Sequence, residues 1–461
     1  MKLENIAITQ SGSWSTISVF KPHEGGWVKV SGANSESPLF VPDEGPLLNI
    51  ATGCGVMGNN NGTANGQGAG AGTRHLLHAN VASFSLLFSI RPNPQFGANQ
   101  PGSMRCSIRR PQSSQWEPLT FSGKSVVSVH GYTDAESTPP AQDVLSDPVS
   151  GPFYAGDIIE VMTWMVNTGE QSKGTMGTSI TIDPSYDLGI SPGAYQEVVA
   201  GGDGGFTGRP GKSARPAGFI APSKQKASWA TIGDSNSVNP DRNYFYQALR
   251  RRGQAAVIHG KHGESLAKML HKGWWDFHMG TMLRYADSVY CALGTNDCIF
   301  GASAQAVMED MVIAWAKAGA KRWVQGTVPP MATTSDNWAT VAGQAPTVPG
   351  LRAMEVNLWL RDGAPVRGGK PAPAGATGSD VSRATVIAYD GAIKRGSGTH
   401  PMGLGWVSDT GGAIESTPGS GVYMAGFPAS EHGGNDPTHY YQGLHDIQAK
   451  HLERDLKLMG F

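Results

Sequence analysis

The sequence predicts an α/β protein in two parts: an all-β stretch of sandwich or jelly-roll type, then a three-layer α/β/α domain built on a parallel sheet. Three observations carry this. Residues 1–200 show only short alternating runs broken by Gly, Pro, Asn and Ser clusters. From residue 227 onward, apolar strand-like runs alternate with helical patterns. With 62 Gly, 30 Pro and only 16% charged residues in 461, the chain must hold many turns and long connections. That length exceeds one ordinary core, so two domains or three are expected.

Residues 1–200 supply strand candidates at 16–20, 27–30, 83–90, 125–129 and 158–166, and are read as a β-sandwich-like accessory domain of a type that often binds carbohydrate. The stretch 53–73 is too rich in Gly and Asn to bury a core and reads as a surface loop. Residues 201–226 read as a linker. In 227–461, a strand at 229–232 runs into Gly233-Asp234-Ser235-Asn236, and Asn239-Pro240-Asp241 has the residues that open a helix. Helical patterns follow at 244–252, stopped by Gly253, at the end of a helix at 282–286, and at 303–318, which carries Val307, Met308, Met311 and Trp315 on one face. Further helices are expected at 351–361 and 439–459, and strands at 255–258, 288–293, 321–328 and 384–389. Two Gly/Pro-rich insertions, 329–350 and 391–435, are long enough to act as a lid.

A formal net charge of −1 gives no electrostatic reason to expect nucleic acid or an anionic membrane as partner. The run Arg250-Arg251-Arg252 closes a helix and is read as a partner of its C-terminal dipole. No apolar run has membrane-spanning length, and the first ten residues lack the apolar region of a signal peptide, so export by that route would need a leader absent from this chain. Cys54, Cys106, Cys291 and Cys298 are too far apart for a zinc knuckle and too few for a disulfide scaffold, though one bridge is possible. His259, His262, His271 and His278 fit no common zinc spacing. Neither a metal nor an organic cofactor is expected. Trp274 and Trp275 read as core residues.

Chemistry concentrates in four short segments. Ser235 sits where a strand ends and a helix is about to begin, the place at which open α/β sheets present ligand-binding groups. Asp436-Pro437-Thr438-His439 precedes the terminal helix and is the sole Asp-x-x-His in the chain. A carboxylate three residues before an imidazole can take its Nδ1 proton, leaving Nε2 to accept one from a serine hydroxyl. Each segment alone reads as an ordinary turn or cap; their joint order is what points to acyl transfer. No Gly-x-Ser-x-Gly elbow occurs, which disfavours the common α/β-hydrolase arrangement.

In that order the segments resemble the blocks of the SGNH/GDSL hydrolase family over roughly residues 227–460. Gly233-Asp234-Ser235-Asn236 matches the first block, with Asn236 where Leu is common. Gly260-Lys261-His262-Gly263-Glu264-Ser265 resembles the second, without its leading Asn. Gly294-Thr295-Asn296-Asp297 matches the third, and Asp436 with His439 the last. The resemblance implies a flavodoxin-like parallel-sheet domain, a catalytic triad of Ser235, Asp436 and His439, and an oxyanion hole from the Ser235 and Gly263 N–H groups and the Asn296 amide. His262, beside Gly263, and Trp338 and Trp406, one in each insertion, are candidate substrate-binding residues. The expected substrate is a short, O-acetyl ester on a carbohydrate, an acetylated glycan. Alternatives are a lipase or thioesterase, an acyltransferase using the same triad, or a binding or structural protein such as a phage-tail component with a vestigial site.

Overall fold

The computed structural model describes residues 20–23, 26–29, 42–52, 54–56, 68–90, 102–129, 142–167, 179–181, 189–191, 212–214, 216–224, 228–237, 243–260, 263–271, 274–319, 321–397, 400–427, 436–440 and 442–461. The chain forms two compact units, Met1–Pro42 and Asp43–Phe461. In the first, Phe20–His23 pairs antiparallel with Gly26–Lys29.

The larger unit is organised on an eight-stranded sheet. In chain order its strands are β1 (Cys54–Val56), β2 (Ser228–Gly233), β3 (Ala255–Gly260), β4 (Ser288–Cys291), β5 (Arg322–Gly326), β6 (Thr385–Ile387), β7 (Ile393–Lys394) and β8 (Leu404–Ser408). Across the sheet they run β7-β6-β8-β5-β4-β2-β3-β1. All neighbours are parallel except the terminal β6–β7 pair. Parallel strands covered on both faces need near-continuous burial, and β2, β3 and β4 are buried at every position.

Alternation then sends successive side chains to opposite faces. Trp229, Ala256, Tyr290 and Val324 join one cluster with α1 (Tyr244–Arg251) and α7 (Gln442–Leu458). Ala230, Ile232, Val257, Val289, Cys291 and Trp323 join the other. That second face is covered by α2 (Leu266–His271), α3 (Trp274–Arg284), α5 (Ala304–Ala318) and α6 (Val348–Arg361). Trp275 is core, as expected, stacked 6.5 Å from Trp323. The expected start and stop of α5 also hold: the Ser303 hydroxyl accepts from the Ala306 N–H and Gly319 ends the helix.

Two larger antiparallel sheets belong to the same unit. One runs Gln142–Leu145, Val81–Ile90, Gly218–Pro222, Leu47–Asn49; the other runs Gly189–Ser191, Gly68–Leu76, Ile158–Asn167, Gly102–Arg109, Trp116–Pro118. Their Phe84, Phe88, Ile108 and Val161 share one buried cluster with Ile232 and Val257 of the parallel sheet. The apolar core is therefore continuous from the antiparallel sheets to the parallel one.

Several expectations change. The segment 201–226 contributes Gly218–Pro222, which pairs with both of its neighbours and lies inside the compact unit. The stretch 53–73 supplies β1 and the start of Gly68–Leu76, and residues 57–67 lie outside the description. The insertion 391–435 contains β7 and β8, and β8 lies between β5 and β6 within the sheet. Five residues, Leu-Gly-Trp-Val-Ser, set in Gly-rich surroundings give too short a pattern to distinguish a strand from a loop. The strand candidate 16–20 falls almost wholly outside the described residues. All four cysteines are buried free thiols, and burial pushes those of Cys106, Cys291 and Cys298 up to about 12. Among the described residues no helix is long and apolar enough to cross a membrane.

Candidate active site

The strand order places the site. From β2 the chain moves to β3 on one side and then to β4 on the other, so a crevice opens at the carboxyl ends of these three strands. Register keeps them level: Gly233 pairs with Gly260, and Ile232 with Cys291. The three segments carrying Ser235, Gly263 and Asn296 thus leave the sheet side by side.

Gly233 ends β2 because nothing larger fits; a Cβ there would lie 1.9 Å from the Ser237 hydroxyl oxygen. The buried Asp234 carboxylate accepts the Asn236 N–H at 2.9 Å, and the Asp234 carbonyl accepts the Ser237 N–H at 3.0 Å. These bonds wind Ser235–Ser237 into a single 3₁₀ turn that leaves the Ser235 side chain partly exposed. Burial pushes the Asp234 carboxyl above its ordinary range, against the pull of the Asn236 bond and of His439. Helix α1 then begins at Tyr244 with Asn243 as cap; the Asn243 amide also donates to the Ser237 carbonyl at 2.9 Å, tying turn to helix. Asn239, Pro240 and Asp241, expected to open that helix, lie outside the described residues.

Asp436 folds the other half. Its Oδ1 accepts the Thr438 N–H at 2.8 Å and the His439 N–H at 3.2 Å, closing a turn that brings its Oδ2 2.6 Å from His439 Nδ1. With Nδ1–H donated to the carboxylate, Nε2 is the acceptor, and it lies 2.7 Å from Ser235 Oγ. Burial pulls the Asp436 carboxyl upward, but the hydrogen bonds from His439 and Thr438 outweigh it and hold it below its ordinary value. His439 and Asp436 remain open to solvent, with side chains 46% and 37% exposed. Asn236 bridges the halves, its amide donating to the Thr438 carbonyl at 3.4 Å.

Asn296 comes from α4 (Thr295–Ile299), which starts directly after Gly294. That glycine adopts φ +137°, and a Cβ there would lie 2.7 Å from Val328 Cγ2. The Asn296 amide donates to the Glu264 carbonyl at 2.9 Å. Its neighbour Asp297 is buried and accepts the Leu266 and Ala267 N–H groups at 3.1 and 3.0 Å, capping α2. Burial raises the Asp297 carboxyl to about 6. The third block therefore grips the second: one side chain holds the Gly263–Glu264 turn and the next holds the helix after it. The sequence showed the residues of this grip but not the grip itself.

The candidate substrate-binding residues fare differently. His262 lies outside the described residues. Trp338 is fully buried, packed edge-on at 5.5 Å against Tyr423, so no face of it is available to a sugar. Tyr423, which sequence reasoning missed, donates its hydroxyl to the Pro437 carbonyl at 3.1 Å, so the pair props the turn that carries His439. Trp406 belongs to β8, opposite Val324 and Thr385, and packs against the Trp229 cluster. Both tryptophans stand in Gly/Pro-rich segments that imitate exposed loops, and tertiary packing overrides that local signal. Among the described residues no group of three or more His, Cys, Asp or Glu side chains is placed to hold a metal.

No protein-family model matches the chain, and no curated protein does. Among solved structures it is similar to a lipase/acylhydrolase from Enterococcus faecalis, with 14% identity, a TM-score of 0.30, and coverage of 50% of this chain and 96% of that one. It is similar to a family two carbohydrate esterase from Clostridium thermocellum in complex with cellohexaose, with 12% identity, a TM-score of 0.32, and coverage of 90% and 98%. A third is a carbohydrate esterase family 2 enzyme plus carbohydrate-binding domain from Corynascus thermopiles (Myceliophthora fergusii), with 14% identity, a TM-score of 0.30, and coverage of 88% and 100%. At such TM-scores these likenesses carry no weight for what the chain does.

Proposed function

We propose that this chain is a serine hydrolase of carboxylic esters that works through an acyl-enzyme on Ser235. The observation that supports the reading is the unbroken series Ser235 Oγ, His439 Nε2, His439 Nδ1, Asp436 Oδ2, at 2.7 and 2.6 Å for its two hydrogen bonds. His439 Nε2 takes the hydroxyl proton as Oγ attacks the ester carbonyl, and Asp436 fixes the tautomer and stabilises the imidazolium. The tetrahedral oxyanion is received by the Ser235 and Gly263 N–H groups and the Asn296 amide. His439 then passes its proton to the departing alkoxide. A water deprotonated by the same Nε2 attacks the acyl-enzyme, releasing the carboxylic acid and returning the proton to Oγ.

The substrate proposed is a short ester, an O-acetyl group carried by a carbohydrate. What supports it is the openness of His439 and Asp436, which suits an ester displayed on a bulky hydrophilic body. A second reading, a longer acyl chain, is favoured by Ile299 and Phe300, exposed at 36% and 57% at the carboxyl end of the helix that carries Asn296. Turnover of nitrophenyl esters from acetate to decanoate, with Ser235→Ala as control, separates the two. The proposal expects acetate to be fastest, acetate to be released from acetylated xylan, and Ser235→Ala to abolish both. Faster turnover of decanoate moves the assignment to the second reading. No turnover, together with no labelling of Ser235 by a fluorophosphonate, refutes the hydrolase itself.

A further inference from the structure

Resting on that reading, we infer that Lys268 is a positioning residue that aims the oxyanion hole. Gly263 adopts φ +67°, a region that glycine reaches at no steric cost, so the position of this turn depends on the groups that grip it from outside. Two bonds from outside hold the turn: Lys268 Nζ donates to the Gly263 carbonyl at 2.6 Å, and the Asn296 amide donates to the Glu264 carbonyl at 2.9 Å. The Ser265 hydroxyl accepts the Lys268 N–H at 3.2 Å and caps the helix that carries the lysine.

The lysine reaches further than its own turn. Its ammonium lies 4.3 Å from the ring centroid of Phe300, the residue that caps the carboxyl end of α4. One side chain on α2 therefore touches both segments that supply oxyanion donors, the Gly263 turn directly and the Asn296 helix through Phe300. A charged donor on a carbonyl is stronger than a neutral one. Lys268 holds the 263–264 peptide by its carbonyl, and so fixes the Cα of Gly263 from which the N–H of the preceding peptide is directed.

The test uses the full chain and nitrophenyl acetate. Lys268→Met keeps the stem and removes the ammonium; Lys268→Arg returns a donor and a charge. Losing one oxyanion donor outright costs about two to three orders of magnitude in rate, so leaving it in place but poorly aimed is expected to lower kcat about tenfold. KM should stay within about twofold, and Lys268→Arg should recover kcat to within about threefold of the parent. Combined with Asn296→Ala, Lys268→Met should add less than its separate effect, since both act on one oxyanion. Unchanged kcat in Lys268→Met, a loss confined to KM, or full additivity with Asn296→Ala would each overturn the inference. So would an arginine variant as slow as the methionine one with an unchanged Tm. A parent that turns over esters while Lys268→Met equals it refutes the lysine's role alone; a parent that neither turns over esters nor labels at Ser235 removes the hydrolase reading and this inference with it.

Discussion

Asp436→Asn is the most discriminating single change in the molecule. The side chain keeps its shape, and the surrounding backbone dictates how the new amide must sit. One oxygen of Asp436 accepts two N–H groups, from Thr438 at 2.8 Å and His439 at 3.2 Å. An amide can satisfy those donors only by turning its oxygen toward them, which points its NH₂ at His439 Nδ1. A nitrogen that was donating must then accept, so the imidazole shifts its proton to Nε2. That atom lies 2.7 Å from Ser235 Oγ and, once protonated, cannot take the hydroxyl proton. The turn is preserved while the base is lost. The expected fall in kcat is about three to four orders of magnitude at neutral pH. Because the carboxylate is partly exposed, the Tm should move by no more than about 2 °C. Nitrophenyl acetate kinetics and fluorophosphonate labelling measure the first quantity and a thermal melt the second. A variant within about tenfold of the parent in kcat would show that Asp436 does not set the tautomer, and the triad argument would fail.

Other changes probe the supports. Asn296→Ala is expected to lower kcat by about two to three orders of magnitude with a smaller effect on KM; a pure KM effect would place Asn296 in substrate binding instead. Tyr423→Phe removes the hydroxyl that holds the Pro437 carbonyl at 3.1 Å and should cost about 1–2 kcal/mol in chemical denaturation while lowering kcat several-fold; an unchanged kcat would mean the His439 turn holds itself. The buried Asp297 carboxyl is raised from an ordinary 3.8 to about 6, so between those values the folded state binds more protons than the unfolded one, and stability falls as pH rises through the window. Asp297→Asn should remove about 3 kcal/mol of that dependence. The share from Asp455, also held at about 6, should remain. An unaltered slope between pH 4 and pH 6 would contradict the burial of Asp297.

Much of the site was legible in the linear chain because its chemistry is locally encoded. Asp436 and His439 need only one turn to meet, and the turn is written in the same four residues. Gly233 before Ser235 and Gly294 before Asn296 are demanded by close packing at a strand end and a helix start. The strands β2 to β5 carry enough apolar residues to be recognised, and Ser303 and Gly319 bracket α5 by ordinary capping. Residues whose roles depend on distant partners were not legible. Nothing near Trp338 reveals that it packs on Tyr423, and nothing near Lys268 reveals that its ammonium meets Phe300.

The sequence by itself determined the chemistry on offer: a serine, an imidazole, an acid and an amide, each placed at the end of a strand or the start of a helix. Tertiary structure alone decided the distances between them, because the 204 residues separating Ser235 from His439 are brought together by the order of strands in the sheet. It also decided that a five-residue segment of a Gly-rich stretch, β8, is an interior strand of that sheet, and that the antiparallel sheets share its core. The physical reason is the same in each case. Local pattern fixes which face of an element is apolar, but which other element covers that face is chosen by the packing of the whole chain.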